Sequence, residues 1–153
     1  MMRNDQVAVL LPMVVGAIAV LCTFLIHSVA LGISVRLFRH ERKLGLVGSR
    51  VWVNLGIFVL TMSIAFAAHL IEIALWASLF VICGEFTSIK LAFYHSAVNY
   101  TTLGYGDLIM TPSWKLLGPL EAADGALMFG VSTAMIFTIA QRLMHAKFSD
   151  LEG

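Results

Sequence analysis

The chain has 153 residues, of which 59% are hydrophobic, with 10 basic and 9 acidic side chains and a net charge of +1. Soluble domains are about 45–50% apolar and about 25% charged, so this composition excludes a soluble globular enzyme. The near-neutral balance argues against a nucleic-acid partner.

Val7 to Val35 contains no Asp, Glu, Lys or Arg, and His27 is its lone imidazole. A spanning helix needs roughly 20 predominantly apolar residues, so the first transmembrane helix is expected here. Its apolar run is too long for the h-region of a signal peptide, and Asp5 offsets Arg3 ahead of it, which predicts a retained helix. Arg36, Arg39, Arg42, Lys43 and Arg50, opposed by Glu41, follow as a basic loop. The every-third spacing of its arginines resembles a voltage sensor, but a loop position makes them topology anchors. Val51 to Gly84 predicts a second crossing with one charge, Glu72. His69 lies three residues before it, on the same face, and an interhelical hydrogen bond is the expected role of the pair. Cys22 and Cys83 show no metal-ligand spacing and read as small membrane hydrophobes.

Ser88 to Tyr100 is apolar and aromatic but too short to span, which predicts a re-entrant helix. Thr87 or Ser88 is placed to cap it, and Glu85 to sit near its positive end. Pro112, Ser113 and Trp114 mark re-entry, and a third crossing is expected from about Leu116 to Ala140. The basic loop and Arg142 and Lys147 on the inner side place the N-terminus outside and the C-terminus in the cytoplasm of a multi-pass cell-membrane protein.

Between the re-entrant helix and Pro112 stands Thr101-Thr102-Leu103-Gly104-Tyr105-Gly106-Asp107. Successive carbonyls pointing one way require alternating left- and right-handed backbone, which glycine at alternate positions favours. Non-helical backbone at membrane depth is tolerated where it is buried or lines an aqueous path, and the C-terminal end of a short helix there favours a cation.

This segment resembles the filter signature of potassium channels, whose carbonyl rings replace the ion's hydration shell. The resemblance covers roughly Val51 to Arg142. It implies an all-α membrane protein with three transmembrane helices, a re-entrant pore helix and an extended filter, assembled as a fourfold homotetramer. The implied domains are an N-terminal helix and basic loop (1–50), a pore module (51–142) and a short cytoplasmic tail (143–153). The implied ion sites are Thr102, Leu103, Gly104 and Tyr105, completed by Gly106, with K+ as permeant ion and no cofactor. Thr101, Asp107, Tyr94, Glu121 and Asp124 would support the filter. Leu103 departs from the family's usual Val, Tyr94-His95 from its aromatic pair, and Val98 from the buried acid of some members.

Gly125, nineteen residues past Gly106, and Gly130 are placed as gating hinges by the resemblance, although small residues also serve close packing. Ser132, Thr133 and Thr138 are candidates to line the cavity. Glu121 and Asp124 share a face about 10 and 15 Å into the membrane, where ionisable groups face protein or water. One of them is expected to brace the filter from behind, near Asn99 or His95. The function expected is passive potassium conduction by a non-enzymatic channel subunit. The alternatives are a weakly selective cation channel and a non-conducting accessory or sensor protein.

Overall fold

A computed structural model describes residues 2–45 and 51–149, with side chains for 9–45 and 51–145. Among these residues there are four α-helices and no strand: α1 (Met2–Lys43), α2 (Val51–Ile82), α3 (Ile89–Tyr100) and α4 (Leu117–Ser149). Three helices, over Val9–Lys43, Val51–Ile82 and Leu117–His145, are long and apolar enough to cross a membrane. α3 has 12 residues. At about 1.5 Å per residue it reaches about 18 Å, short of a hydrocarbon core about 30 Å thick.

The basic run 36–43, expected as a loop, is instead the end of α1. Arg and Lys are good helix formers, and His40, Arg42 and Lys43 in the last turn meet the negative end of the helix dipole. Arg50 lies outside the described residues. The tail expected from 143 begins as a continuation of α4, which runs to Ser149; 150–153 lie outside the described residues.

The chain divides into two compact units, one of residues up to Ile26 with His69–Met128, the other of His27–Ala68 with Phe129 onward. The first packs Ala19, Trp76, Phe80, Ala92, Tyr100 and Leu117 into one core. Lipid tails are as apolar as such a core, so close packing and polar bonds, rather than burial itself, hold these helices together. On α1 the inward positions Gly16, Ala19 and Thr23 are small, and a Cβ on Gly16 would come within 2.6 Å of Leu120 Cδ1 on α4. On α4, Leu117, Glu121, Asp124 and Met128 are buried at i, i+4, i+7 and i+11, one helical stripe. Both acids therefore face protein, as their depth requires.

The second unit packs Phe38, Ile57, Ile139 and Leu143. Its buried hydroxyls are satisfied locally: Ser34 donates to the Ala30 carbonyl at 2.9 Å and Thr61 to that of Ile57 at 2.9 Å. Ser132, a candidate for the cavity wall, is instead buried, its hydroxyl 2.9 Å from His27 Nε2.

Beyond α2 the chain turns at Gly84, and the Glu85 N–H returns to the Phe80 carbonyl at 3.0 Å. Ser88 occupies the N-cap of α3 in extended backbone, but its side chain makes no capping bond. Glu85, expected near the α3 terminus, has its carboxylate on Thr111. It accepts hydrogen bonds from the Thr111 N–H at 2.7 Å and the Thr111 hydroxyl at 2.6 Å. These bonds tie together the two ends of the segment that holds α3 and the loop after it.

Candidate ion-conducting site

α3 ends at Tyr100, and Thr101 to Gly106 have no helical structure beyond a turn at Thr101-Thr102. Thr102, Gly104 and Gly106 have φ of 58°, 58° and 72°. Left-handed backbone thus recurs at every second residue. For glycine this costs little; for a β-branched threonine it costs about 1–3 kcal/mol and persists only when neighbours impose it. The restraints are visible: the Thr102 N–H donates to Asn99 O at 2.8 Å, and those of Leu103 and Gly104 both donate to Val98 O, at 3.0 and 3.2 Å. The loop's first N–H groups therefore fold back on the end of α3. Among the described residues no hydrogen bond ends on the carbonyl oxygens of Thr102, Leu103, Gly104 or Tyr105. The side chains of this segment are exposed, Tyr105 at 66%.

Several residues anchor this loop and α3. Tyr100 is fully buried. Its hydroxyl donates to Glu72 Oε2 and lies 3.1 Å from His69 Nδ1, with His69 Nδ1 3.3 Å from the same carboxylate. The expected pairing of His69 and Glu72 is thus present, and the helix it reaches is α3.

Glu121 meets α3 through Ser96, whose Oγ is 2.5 Å from Oε1 and 2.8 Å from the Ile73 carbonyl oxygen. The expected neighbourhood, Asn99 or His95, lies within one turn of the actual partner. The Asn99 amide nitrogen lies 2.9 Å from His95 Nε2, and among the described residues no hydrogen bond within the usual distance ends on Glu121 Oε2. Asp124 points elsewhere: its Oδ2 accepts from the Trp76 indole at 2.9 Å and the Thr23 hydroxyl at 2.8 Å. That carboxylate links α1, α2 and α4.

At the C-terminal end of the loop, the Tyr94 hydroxyl donates to Asp107 Oδ2 at 2.8 Å, and the Leu108 N–H donates to Oδ1 at 3.1 Å. The hydrogen bond to Asp107 holds the Tyr94 phenol above its ordinary pKa. His95, packed edge-on against Phe80 at 5.4 Å, is held by burial below the ordinary histidine value. Thr101 donates its hydroxyl to Ala97 O at 2.7 Å. Gly125 abuts Tyr100: a Cβ there would collide with the Tyr100 carbonyl, whereas one on Gly130 would meet nothing within 4 Å.

The sequence motif and its two acids were visible in advance; Tyr100, Ser96, Trp76 and Thr23 were not. A family profile described as "Ion channel" matches residues 57–142. The chain belongs to the ion channel family. Among curated proteins the channel is similar to the A-type voltage-gated potassium channel KCND3 of Rattus norvegicus, Oryctolagus cuniculus and Homo sapiens. Each is 31% identical over 90 residues, 58% of this chain and 13% of the relative. The channel therefore spans about an eighth of the length of these relatives. Comparison with solved structures gave no significant match. The matched region contains α3, the loop after it and most of α2 and α4; all of α1 precedes it.

Proposed function

We propose that the protein is a subunit of a potassium-selective channel. Four copies surround a central axis, and Thr102 to Gly106 of each contributes one strand of the filter. The observation that carries this reading is the recurrence of left-handed backbone at Thr102, Gly104 and Gly106, together with carbonyls that accept no hydrogen bond. Such backbone can turn several carbonyls toward one line. A single strand cannot enclose an ion, but a ring of four can replace its hydration shell. The exposure of these side chains in one subunit is in keeping with a surface that other subunits cover.

Each support residue then has a task. Asp107 and Tyr94 fasten the outer end, Glu121 acts through Ser96 on α3, and Tyr100 fixes the inner end through Glu72 and Gly125. Potassium ions shed water at the ring and move down their electrochemical gradient through several weak sites. The N-terminus lies outside and the C-terminus in the cytoplasm, following the basic residues at the ends of α1 and α4.

An experimental structure of the purified assembly in potassium, then in rubidium, tests this. The expected result is fourfold symmetry with axial density beside Thr102 to Tyr105 that responds to the exchange. A monomer, or an axis without cations at these carbonyls, contradicts it.

A further inference from the structure

A groove of about 410 Å³ lies within the second unit, between the later part of α1 and the later part of α4. Leu31, Val35 and Phe38 form one wall and Ile139 part of the other, while Arg39 and Arg142 stand at one end. Leu31 to Arg39 covers about 12 Å of helix rise. The groove is therefore apolar for most of its length and doubly cationic at one end. Neither arginine has an ion-pair partner among the described residues. Thr138, also in the wall, donates its hydroxyl to its own helix at Ala134 O and offers no competing donor.

We infer that this groove binds an anionic phospholipid, with one acyl chain along Leu31, Val35, Phe38 and Ile139 and the phosphate between Arg39 and Arg142. Charge complementarity selects the headgroup, and the apolar wall selects a lipid over a free anion, which has nothing to place there. Basic pockets between transmembrane helices at the cytoplasmic face suit such headgroups. Arg39 and Arg142 lie near the C-terminal ends of α1 and α4, which the proposed topology puts in the cytoplasmic leaflet. The leaflet assignment rests on that topology; the binding site itself does not. Because α1 supplies half the groove, the lipid would fasten this helix to the end of α4.

The test uses the full chain in nanodiscs of phosphatidylcholine with a minor fraction of phosphatidylglycerol, followed by native mass spectrometry of retained lipid. Wild type should retain phosphatidylglycerol in preference to phosphatidylcholine. R39Q/R142Q should weaken that retention roughly tenfold or more, since each basic residue near a charged headgroup contributes on the order of 1 kcal/mol. V35W keeps both charges but fills the acyl wall, and should reduce retention as well. R39K/R142K, which keeps the charges, should preserve it. Equal retention by wild type and R39Q/R142Q overturns the inference. Unchanged retention by V35W reduces the site to surface attraction and also overturns the groove. Absence of bound lipid, with Val35→Cys cross-linking between subunits, assigns the groove to a second copy and does the same. Lipid retention is read without ion flux, so a channel that binds lipid yet conducts nothing counts only against the conduction reading.

Discussion

Gly125 leaves the Tyr100 carbonyl a space that any side chain would take. Tyr100 lies two residues before the strand proposed as the filter, so this contact joins the approach to that strand to α4 without an intervening side chain. Gly130, five residues on, has open space at the same point of its backbone. The two glycines therefore differ in kind: the first is required by packing where it stands, and the second is free to serve bending.

Substituting Gly125 by Ala should destabilise the protein by about 1–3 kcal/mol, the usual range for overpacking, and should reduce potassium flux. G130A should leave stability within about 0.5 kcal/mol. Thermal unfolding of both variants in detergent measures the difference, and equal midpoints would show that the Gly125 contact is soft.

Asp124 is the polar junction between α1, α2 and α4. Asp124→Leu strands the buried Trp76 indole N–H, and leaving a buried donor unpaired costs about 1–3 kcal/mol. In that variant the Thr23 hydroxyl can give its single proton to the Val20 carbonyl, 2.7 Å away; Thr23→Ala leaves the Trp76–Asp124 bond in place and should cost less than Asp124→Leu. D124N, which keeps an acceptor for Trp76, should fall between wild type and D124L. Tryptophan fluorescence during unfolding orders the three; T23A matching D124L would place the main contribution on α1 instead.

Ser96 and Glu121 connect the middle of α3 to α4. Replacing Ser96 by Ala removes the hydroxyl from both Glu121 and the Ile73 carbonyl, and flux should decline faster during sustained conduction than in wild type. E121Q preserves the shape and a polar partner for Ser96, and should decline more slowly than S96A. Time courses of flux in liposomes provide the comparison. Identical decay in wild type and S96A would separate this pair from the filter.

His95 supplies a pH dependence with a definite sign. Burial lowers its folded pKa below the ordinary value of 6.5, so the unfolded chain takes up the proton first as pH falls. Stability attached to neutral His95 is present above the unfolded pKa and is lost as pH falls from there through the folded pKa. Wild type should lose more thermal stability between pH 7.5 and pH 5.5 than H95Q. The same loss in both would assign the acid sensitivity to other groups.

What the sequence revealed tracks how local each feature is. The crossings were legible because spanning length is a property of a single apolar run, and α3 because its run is too short. The left-handed positions at Gly104 and Gly106 followed from residue type, and Thr102 completed the pattern only through its bond to Asn99. Glu121 and Asp124 stood out as acids in apolar helix, yet their partners did not. Thr23 lies 101 residues from Asp124, and Ser96 lies 25 from Glu121. Which of two neighbouring acids faces α3 depends on the rotation of α4, which packing sets. The basic run ending α1 was misread as a loop because the same charges anchor topology whether the backbone is helical or not.

Potassium selectivity is the central claim, and flux into liposomes containing purified wild-type protein tests it most directly, with potassium and sodium gradients measured side by side and Gly104→Ala as the filter variant. Rapid potassium entry, sodium entry near that of empty liposomes, and loss of potassium flux in G104A are the results the account predicts. Equal entry of the two ions, or no entry of either into liposomes where tetramers are present, would contradict it.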